Sequence, residues 1–136
     1  MRVQRVDQDC AAAAAGLLPE ESDPQLRKEL RTRYRKLSAM LHGAGLAATY
    51  AFVAARTSGR LGESYQEVAD GIRRRLAERG LLNGDSNLRN VLRQLGEMDI
   101  VTYARASAEA AALLSWLSRL ADATYQPDEQ VGESNP

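Results

Sequence analysis

The stretch Gly45-Leu46-Ala47-Ala48-Thr49-Tyr50-Ala51-Phe52-Val53-Ala54-Ala55-Arg56 decides the fold of this chain. Its residues are mostly small or apolar, and it carries no charge before its final arginine. Leu46, Tyr50 and Val53 lie at i, i+4 and i+7, which is the spacing of one helix face. A helix that is apolar on nearly all sides has to be buried by its neighbours. The stretch therefore predicts a short buried helix.

Helix-forming residues also fill the rest of the chain. No proline lies between residues 25 and 126, and no segment alternates polar and apolar residues as a strand does. Helix starts are predicted at Asp23-Pro24, at the capping box Ser64-x-x-Glu67 and at Asp99. A break is predicted at Gly43 and Gly45, a turn at Gly59 and Gly62, and a helix end at Gly80. The sequence predicts an all-α, compact single-domain bundle of about six helices over residues 1–125. Residues 126–136 are predicted to form a flexible acidic tail.

The cysteine content and the lack of long apolar runs indicate where in the cell the protein is located. Cys10 is the only cysteine among 136 residues, which excludes a disulfide framework and fits a reducing compartment. The alanine run at 11–15 follows two aspartates and makes a poor signal peptide. No apolar stretch approaches the ~20 residues of a membrane span. We expect a cytoplasmic protein.

The inventory of reactive side chains argues against catalysis. His42 and Cys10 are the only residues of their kinds, so His/Cys metal clusters and Cys-His pairs are excluded. Gly43-x-Gly45 lacks the lysine and the preceding strand of a phosphate-binding loop. His42 is interpreted as a helix C-terminal residue favoured by the macrodipole. The sequence predicts no enzyme activity, no metal and no cofactor.

The charges are unevenly distributed although the net charge is zero. Residues 22–60 carry eight basic and two acidic side chains, whereas residues 106–136 carry one basic and five acidic ones. Arg27, Lys28, Arg31 and Arg35 form a stripe on the predicted second helix, and Glu29 is the only acid within residues 27–35. Like charges at i, i+4 repel, so such a stripe favours a polyanionic partner. Contact with nucleic acid is one explanation, and a solvated helix face is the other.

Four motifs in a fixed order carry a family resemblance. They are Tyr34-x-x-Leu37, Gly45-Leu46-x-x-Thr49-x-Ala51-Phe52-x-x-x-Arg56, Tyr103-x-x-x-Ser107-x-Glu109-Ala110 and Leu114-x-Trp116-Leu117-x-Arg119-x-Ala121. Together they resemble the small subunit of the type III-B CRISPR effector, the Cmr complex. The resemblance covers about residues 30–125 and has compatible helix spacing throughout.

The resemblance implies a six-helix, non-catalytic protein of antiviral defense. Several copies would stack into a short filament inside an RNA-guided ribonucleoprotein, beside other effector subunits. The filament would contact the backbone of the guide and target RNA, and other subunits would cleave the target. No membrane and no small-molecule substrate would be involved. An acidic C-terminal segment facing the basic helix of the next copy would favour such stacking.

Candidate RNA-binding residues follow partly from the motifs and partly from the basic stripe. Matching by position, Arg56 closes the Gly-Leu helix and Arg119 follows the Trp-Leu pair, so the resemblance implies RNA contacts at both. The stripe and the neighbouring loop add Arg31, Arg35, Lys36 and Arg60. Leu46, Phe52, Leu117 and Trp116 are instead assigned to the core or to subunit contacts.

Two alternatives remain open at the level of the sequence. A helix-turn-helix DNA-binding regulator would need a recognition helix with polar base-reading side chains after a short turn. The helix after Gly43 and Gly45 is instead rich in alanine and in apolar side chains. A protein-interaction module would turn its basic face to an acidic partner protein, and nothing in the sequence opposes it.

Overall fold

Six α-helices make up the part of the chain that the structure describes. A computed structural model describes the backbone of residues 2–126 and the side chains of residues 8–126. The helices, in chain order, are α1 (Arg2–Leu17), α2 (Pro24–Ala44), α3 (Leu46–Ala54), α4 (Gly59–Glu78), α5 (Leu88–Glu97) and α6 (Ile100–Thr124). No strand occurs in residues 2–126. The prediction of an all-α fold with six helices is confirmed. The expected tail beyond residue 126 lies outside the described residues.

Several helix ends lie where the sequence predicts them. The Asp23 carboxylate accepts the N–H of Gln25 at 3.1 Å at the start of α2, and Asp99 accepts the N–H of Thr102 at 2.7 Å at the start of α6. Such caps satisfy N–H groups that have no partner within the helix. After α4, Gly80 takes a φ of +73°, a conformation in which glycine carries no steric penalty.

The predicted turn at Gly59 and Gly62 is wrong. Helix α4 begins at Gly59 with Ser58 as its N-cap, so Gly62 and Ser64 lie inside the helix. The Gly62 N–H donates to the Ser58 carbonyl at 3.0 Å, and Leu61 packs against the core. Burial of that leucine and the completed first turn outweigh the low helix propensity of glycine. The break after α2 likewise lies at Gly45, whose φ is +97°, and α2 runs through Gly43.

Helix α6 forms the centre of the bundle. It packs against α1, α2, α3 and α4, and Leu113, Leu114 and Leu117 are fully buried on it. Ala106 and Ala110 on the same helix are also buried, and their small side chains let the neighbouring helices approach closely. Trp116 is half-buried at the edge of this core. None of the described helices has the length and apolar content to span a bilayer.

The opening segment of the sequence is a buried helix, as expected. Leu46, Thr49, Tyr50 and Val53 of α3 are buried, and the helix contacts α2, α4, α5 and α6. Gly45 supplies no capping side chain, so the N–H groups in the first turn of α3 need an acceptor from elsewhere. The hydroxyl of Tyr103 on α6 accepts the N–H of Ala47 at 3.0 Å. Tyr103, which belongs to the third sequence motif, therefore caps α3, the helix formed by the second motif.

The glycine at 62 leads to a testable prediction about stability. A Cβ atom there would lie 2.5 Å from the carbonyl carbon of Thr57, which belongs to the backbone and cannot rotate away. We expect Gly62→Ala to destabilise the fold by about 1–3 kcal/mol, as overpacking does. Gly96→Ala is the matched control, because nothing lies within 4 Å of its Cβ position, and it should stabilise α5 by up to ~1 kcal/mol. Urea unfolding curves measure both changes, and a Gly62→Ala variant as stable as the natural protein would contradict this packing.

Candidate nucleic-acid interface

The basic stripe of α2 faces the C-terminal end of α6. Nη2 of Arg35 lies 3.1 Å from Oδ1 of Asp122, and Nη1 of Arg31 donates to the carbonyl of Tyr125 at 3.1 Å. These partners are 87 and 94 residues distant in the sequence. The stripe therefore lacks balancing acids only along α2 itself. In the folded protein, residues at the end of α6 supply partners for Arg31 and Arg35.

Arg27 and Arg60 extend this set of contacts to the connection between α1 and α2. Nε of Arg27 donates to the carbonyl of Glu21, and the guanidinium carbon lies 5.6 Å from the centroid of the Tyr125 ring. Arg60, in the first turn of α4, pairs with the Glu21 carboxylate. The Glu21 side chain is only 6% exposed, whereas that of Arg60 is 64% exposed. Glu21 thus contacts α2 through its backbone carbonyl and α4 through its carboxylate.

These contacts shift the pKa values of the Glu21 and Tyr125 side chains. The N–H of Asp23 donates to the Glu21 carboxylate at 3.0 Å, and this bond, assisted by the charge of Arg60, lowers the pKa of Glu21. The Tyr125 hydroxyl donates to the carbonyl of Pro19. Burial, and next the negative charge of Glu21, raise the pKa of Tyr125 to about 12. The end of α6 is therefore fixed against the α1–α2 connection.

We call the set of Arg27, Arg31, Arg35 and Arg60 the basic seam. Two of these four guanidinium groups, those of Arg35 and Arg60, pair with a carboxylate. The partners of Arg27 and Arg31 are neutral carbonyls and a ring. The seam thus keeps a positive excess. Arg35 remains 63% exposed, so this charge is open to an anion from solvent.

Arg56 lies in the loop between α3 and α4 and has no ion pair with any described carboxylate. Its Nη1 donates to the carbonyl of Phe52 at 2.9 Å, and its guanidinium carbon lies 3.4 Å from the centroid of the Phe52 ring. The side-chain amide of Gln66 donates to the carbonyl of Arg56 at 2.7 Å and to that of Ala54 at 3.1 Å. The loop is therefore tied to α4, and Arg56 is exposed on an ordered support.

Lys36 and Arg119 do not join the basic seam. Lys36 is exposed on α2, about 100° around the helix from Arg35, and no described carboxylate pairs with it. Arg119 is exposed on α6, with its guanidinium carbon 5.6 Å from the Trp116 ring. The structure thus places Arg31, Arg35 and Arg60 in the basic seam, leaves Lys36 and Arg119 apart from it, and holds Arg56 in a local cluster of its own.

The sequence matches a family model described as CRISPR-associated protein (Cas_Cmr5) over residues 4–124. This range covers most of the chain and contains all six candidate residues. The chain belongs to this family. It is thereby a CRISPR-associated, type III-B small subunit, as the resemblance implied. No curated protein and no solved structure matches the chain significantly.

Glu109, from the third of the sequence motifs shared with the Cas_Cmr5 family, has a structural role in this protein. Glu109 on α6 lies with Oε1 at 3.1 Å from Nε of Arg75 and with Oε2 at 3.2 Å from Nε of Arg79. The Arg75 side chain is only 6% exposed, so the pair is largely withdrawn from water. These contacts hold α4 to α6. No group of His, Cys, Asp or Glu able to hold a metal occurs among the described residues, and His42 is exposed in the last turn of α2.

The partners of the arginines in this family member cannot be identified from local sequence patterns. Glu21, Asp122 and Tyr125 carry no local signal, because each meets the seam across a long separation in sequence. Phe52 does carry a local signal, since an aromatic residue on a helix four positions before an arginine is a recognisable pair.

The lowered pKa of Glu21 predicts a pH-dependent contribution to stability. Folding favours the carboxylate, so this contribution is complete above the unfolded pKa of about 4.5 and is lost as the pH falls through the lower folded value. We expect Glu21→Gln to be less stable than the natural protein at pH 7, and the difference to shrink below about pH 4.5. Denaturant unfolding at a series of pH values measures it.

Glu20→Gln is the control for that series. It removes the same charge from the neighbouring residue, which is exposed and pairs with no described arginine or lysine. We expect little change in stability at any pH. If the two variants behaved alike, the contacts of Glu21 with Asp23 and Arg60 would not stabilise the fold.

Proposed function

We propose that this protein is a non-catalytic subunit of an RNA-guided type III-B CRISPR ribonucleoprotein in the cytoplasm, and that it contacts the guide and target RNA backbone. Its membership in the Cas_Cmr5 family supports the setting in antiviral defense. The observation that carries the RNA contact is the exposed, supported guanidinium of Arg56, which is free of any described carboxylate. A free arginine on an ordered loop attracts phosphate without first breaking an ion pair.

The basic seam supports a second part of the same contact. Arg35 and Asp122 both have exposed side chains, and exposed pairs of this kind contribute only ~0–1 kcal/mol. A phosphate can therefore share or replace the Asp122 carboxylate at small cost. Arg60 is also exposed, and it can offer N–H groups to a phosphate while it stays paired with the largely buried Glu21. Arg31 is half-buried and bonded to the end of α6, so its charge acts on RNA chiefly through space. Lys36 and Arg119 belong to the proposal as separate contacts, reached by other stretches of RNA or by neighbouring subunits.

Copies of the protein, and other effector subunits, are the proposed protein partners. The start of α6 supports such a contact, because Ile100 is 88% and Val101 69% exposed. Two adjacent, strongly exposed apolar side chains favour coverage by another protein surface. This patch is compatible with stacking of copies in a filament.

A helix-turn-helix regulator receives no support from the fold. The helix after the glycine break, α3, would have to lie in a DNA groove. Of its nine residues, Ala48 alone is exposed, and α2, α4, α5 and α6 surround it. A protein-interaction module without RNA contact is the competing function, and the binding experiment below separates the two.

Reversing the charge of Arg56 tests the proposed RNA contact. We expect the full chain to bind single-stranded RNA without sequence preference and more weakly as salt rises. Arg56→Glu should lower the affinity and reduce the slope of log affinity against log salt by ~0.7 for each lost phosphate contact. Fluorescence anisotropy of labelled RNA over a salt series gives both quantities.

Arg74→Glu is the matched control, because Arg74 is also exposed, pairs with no described carboxylate and lies outside the proposed contact. It changes the net charge equally and should alter the slope less. Equal effects of the two variants would mean that Arg56 acts through net charge alone. Absence of RNA binding by the protein, both alone and within the assembled ribonucleoprotein, would favour the protein-interaction module.

A further inference from the structure

The guanidinium of Arg56 lies flat against the ring of Phe52. The distance from its central carbon to the ring centroid is 3.4 Å, which is van der Waals contact between two carbon planes. At this distance no nitrogen or hydrogen of the guanidinium can point at the ring. The two planes must therefore be close to parallel, with one face of the guanidinium covered by Phe52.

Three further contacts hold this arrangement in place. Nη1 of Arg56 donates in the guanidinium plane to the Phe52 carbonyl at 2.9 Å. Gln66 fixes the backbone carbonyl of Arg56 at 2.7 Å. The Phe52 ring is itself held edge-to-face against Tyr65, with centroids 6.0 Å apart and an interplanar angle of 88°. The flat orientation is thus built by α3 and α4 together, before any ligand is bound.

The outer face of the same guanidinium is open, because the Arg56 side chain is exposed. A planar, delocalised cation stacks well on nucleobases, and proteins that bind single-stranded nucleic acid use such platforms. We infer that Arg56 stacks on an unpaired RNA base, so that Phe52, Arg56 and the base form three parallel layers. This inference rests on the proposed function and assigns Arg56 a base contact in addition to a phosphate contact.

The base contact and a phosphate fork use different parts of the guanidinium. Nη1 donates to the Phe52 carbonyl, whereas Nε and Nη2 form an edge that can still fork onto an adjacent phosphate. The outer face is left for a base, so the two contacts can form together. A base within a duplex is covered by its neighbours on both sides. Arg56 therefore selects bases that are unpaired or displaced from the helix.

Binding to RNA with and without bases tests the inference. The probes are an oligouridylate and an abasic ribose-phosphate oligomer of the same length and charge, titrated with the full chain at low salt. We expect the natural protein to bind the oligouridylate about 5-fold or more tightly, as one base stack provides. Arg56→Lys keeps the charge but not the planar face, so it should lower the affinity for the oligouridylate more than that for the abasic oligomer and thereby lose the preference between them.

Arg74→Lys is the control, and it should keep the preference of the natural protein. Phe52→Leu, checked for folding by its thermal unfolding curve, should weaken the preference because it removes the layer beneath Arg56. Equal affinity of the natural protein for both oligomers, or an Arg56→Lys variant that keeps the preference, would overturn the base contact and leave the proposed phosphate contact standing. Failure to bind either oligomer, alone or in the assembled ribonucleoprotein, would instead overturn the proposed function.

Discussion

The burial of α6 is the constraint on which the rest of this structure depends. Its leucines at 113, 114 and 117 are fully buried, and four of the other helices pack around it. Asp122 on α6 pairs with Arg35, and Tyr125, the residue just after α6, bonds to Arg31, which lies earlier on α2. The two helices therefore run antiparallel. That direction brings Tyr125 to the α1–α2 connection. The basic seam exists because the core fixes the end of α6 at this position.

The seam shows how arginine can anchor a fold and still attract an anion. A guanidinium has five N–H donors, and a hydrogen bond to a carbonyl uses one of them without cancelling the charge. Arg27 and Arg31 bond to carbonyls, whereas Arg35 and Arg60 pair with carboxylates. Structural bonding and a net positive surface are therefore compatible. Pairing every arginine with an acid would have given equal rigidity and no attraction for phosphate.

Arg56 represents a different solution, in which local structure orients the cation. Its supports come from α3 through Phe52 and from α4 through Gln66. The early start of α4 matters here, because the first turn from Gly59 packs directly under the loop at Thr57. A helix beginning at Ser64, as the capping box suggested, would leave that loop without this support.

The sequence by itself determined the all-α class, the six helices, the buried character of α3 and the caps at Asp23, Gly80 and Asp99. These depend on residue spacing and on backbone preferences that act within a few positions. Only the tertiary structure decided which arginines are bonded internally and which are free. The partners of Arg31 and Arg35 lie more than eighty residues away, and their approach follows from how α6 packs in the core. Local patterns specify helices, whereas the position of a charge relative to its partner depends on the packing of the whole bundle.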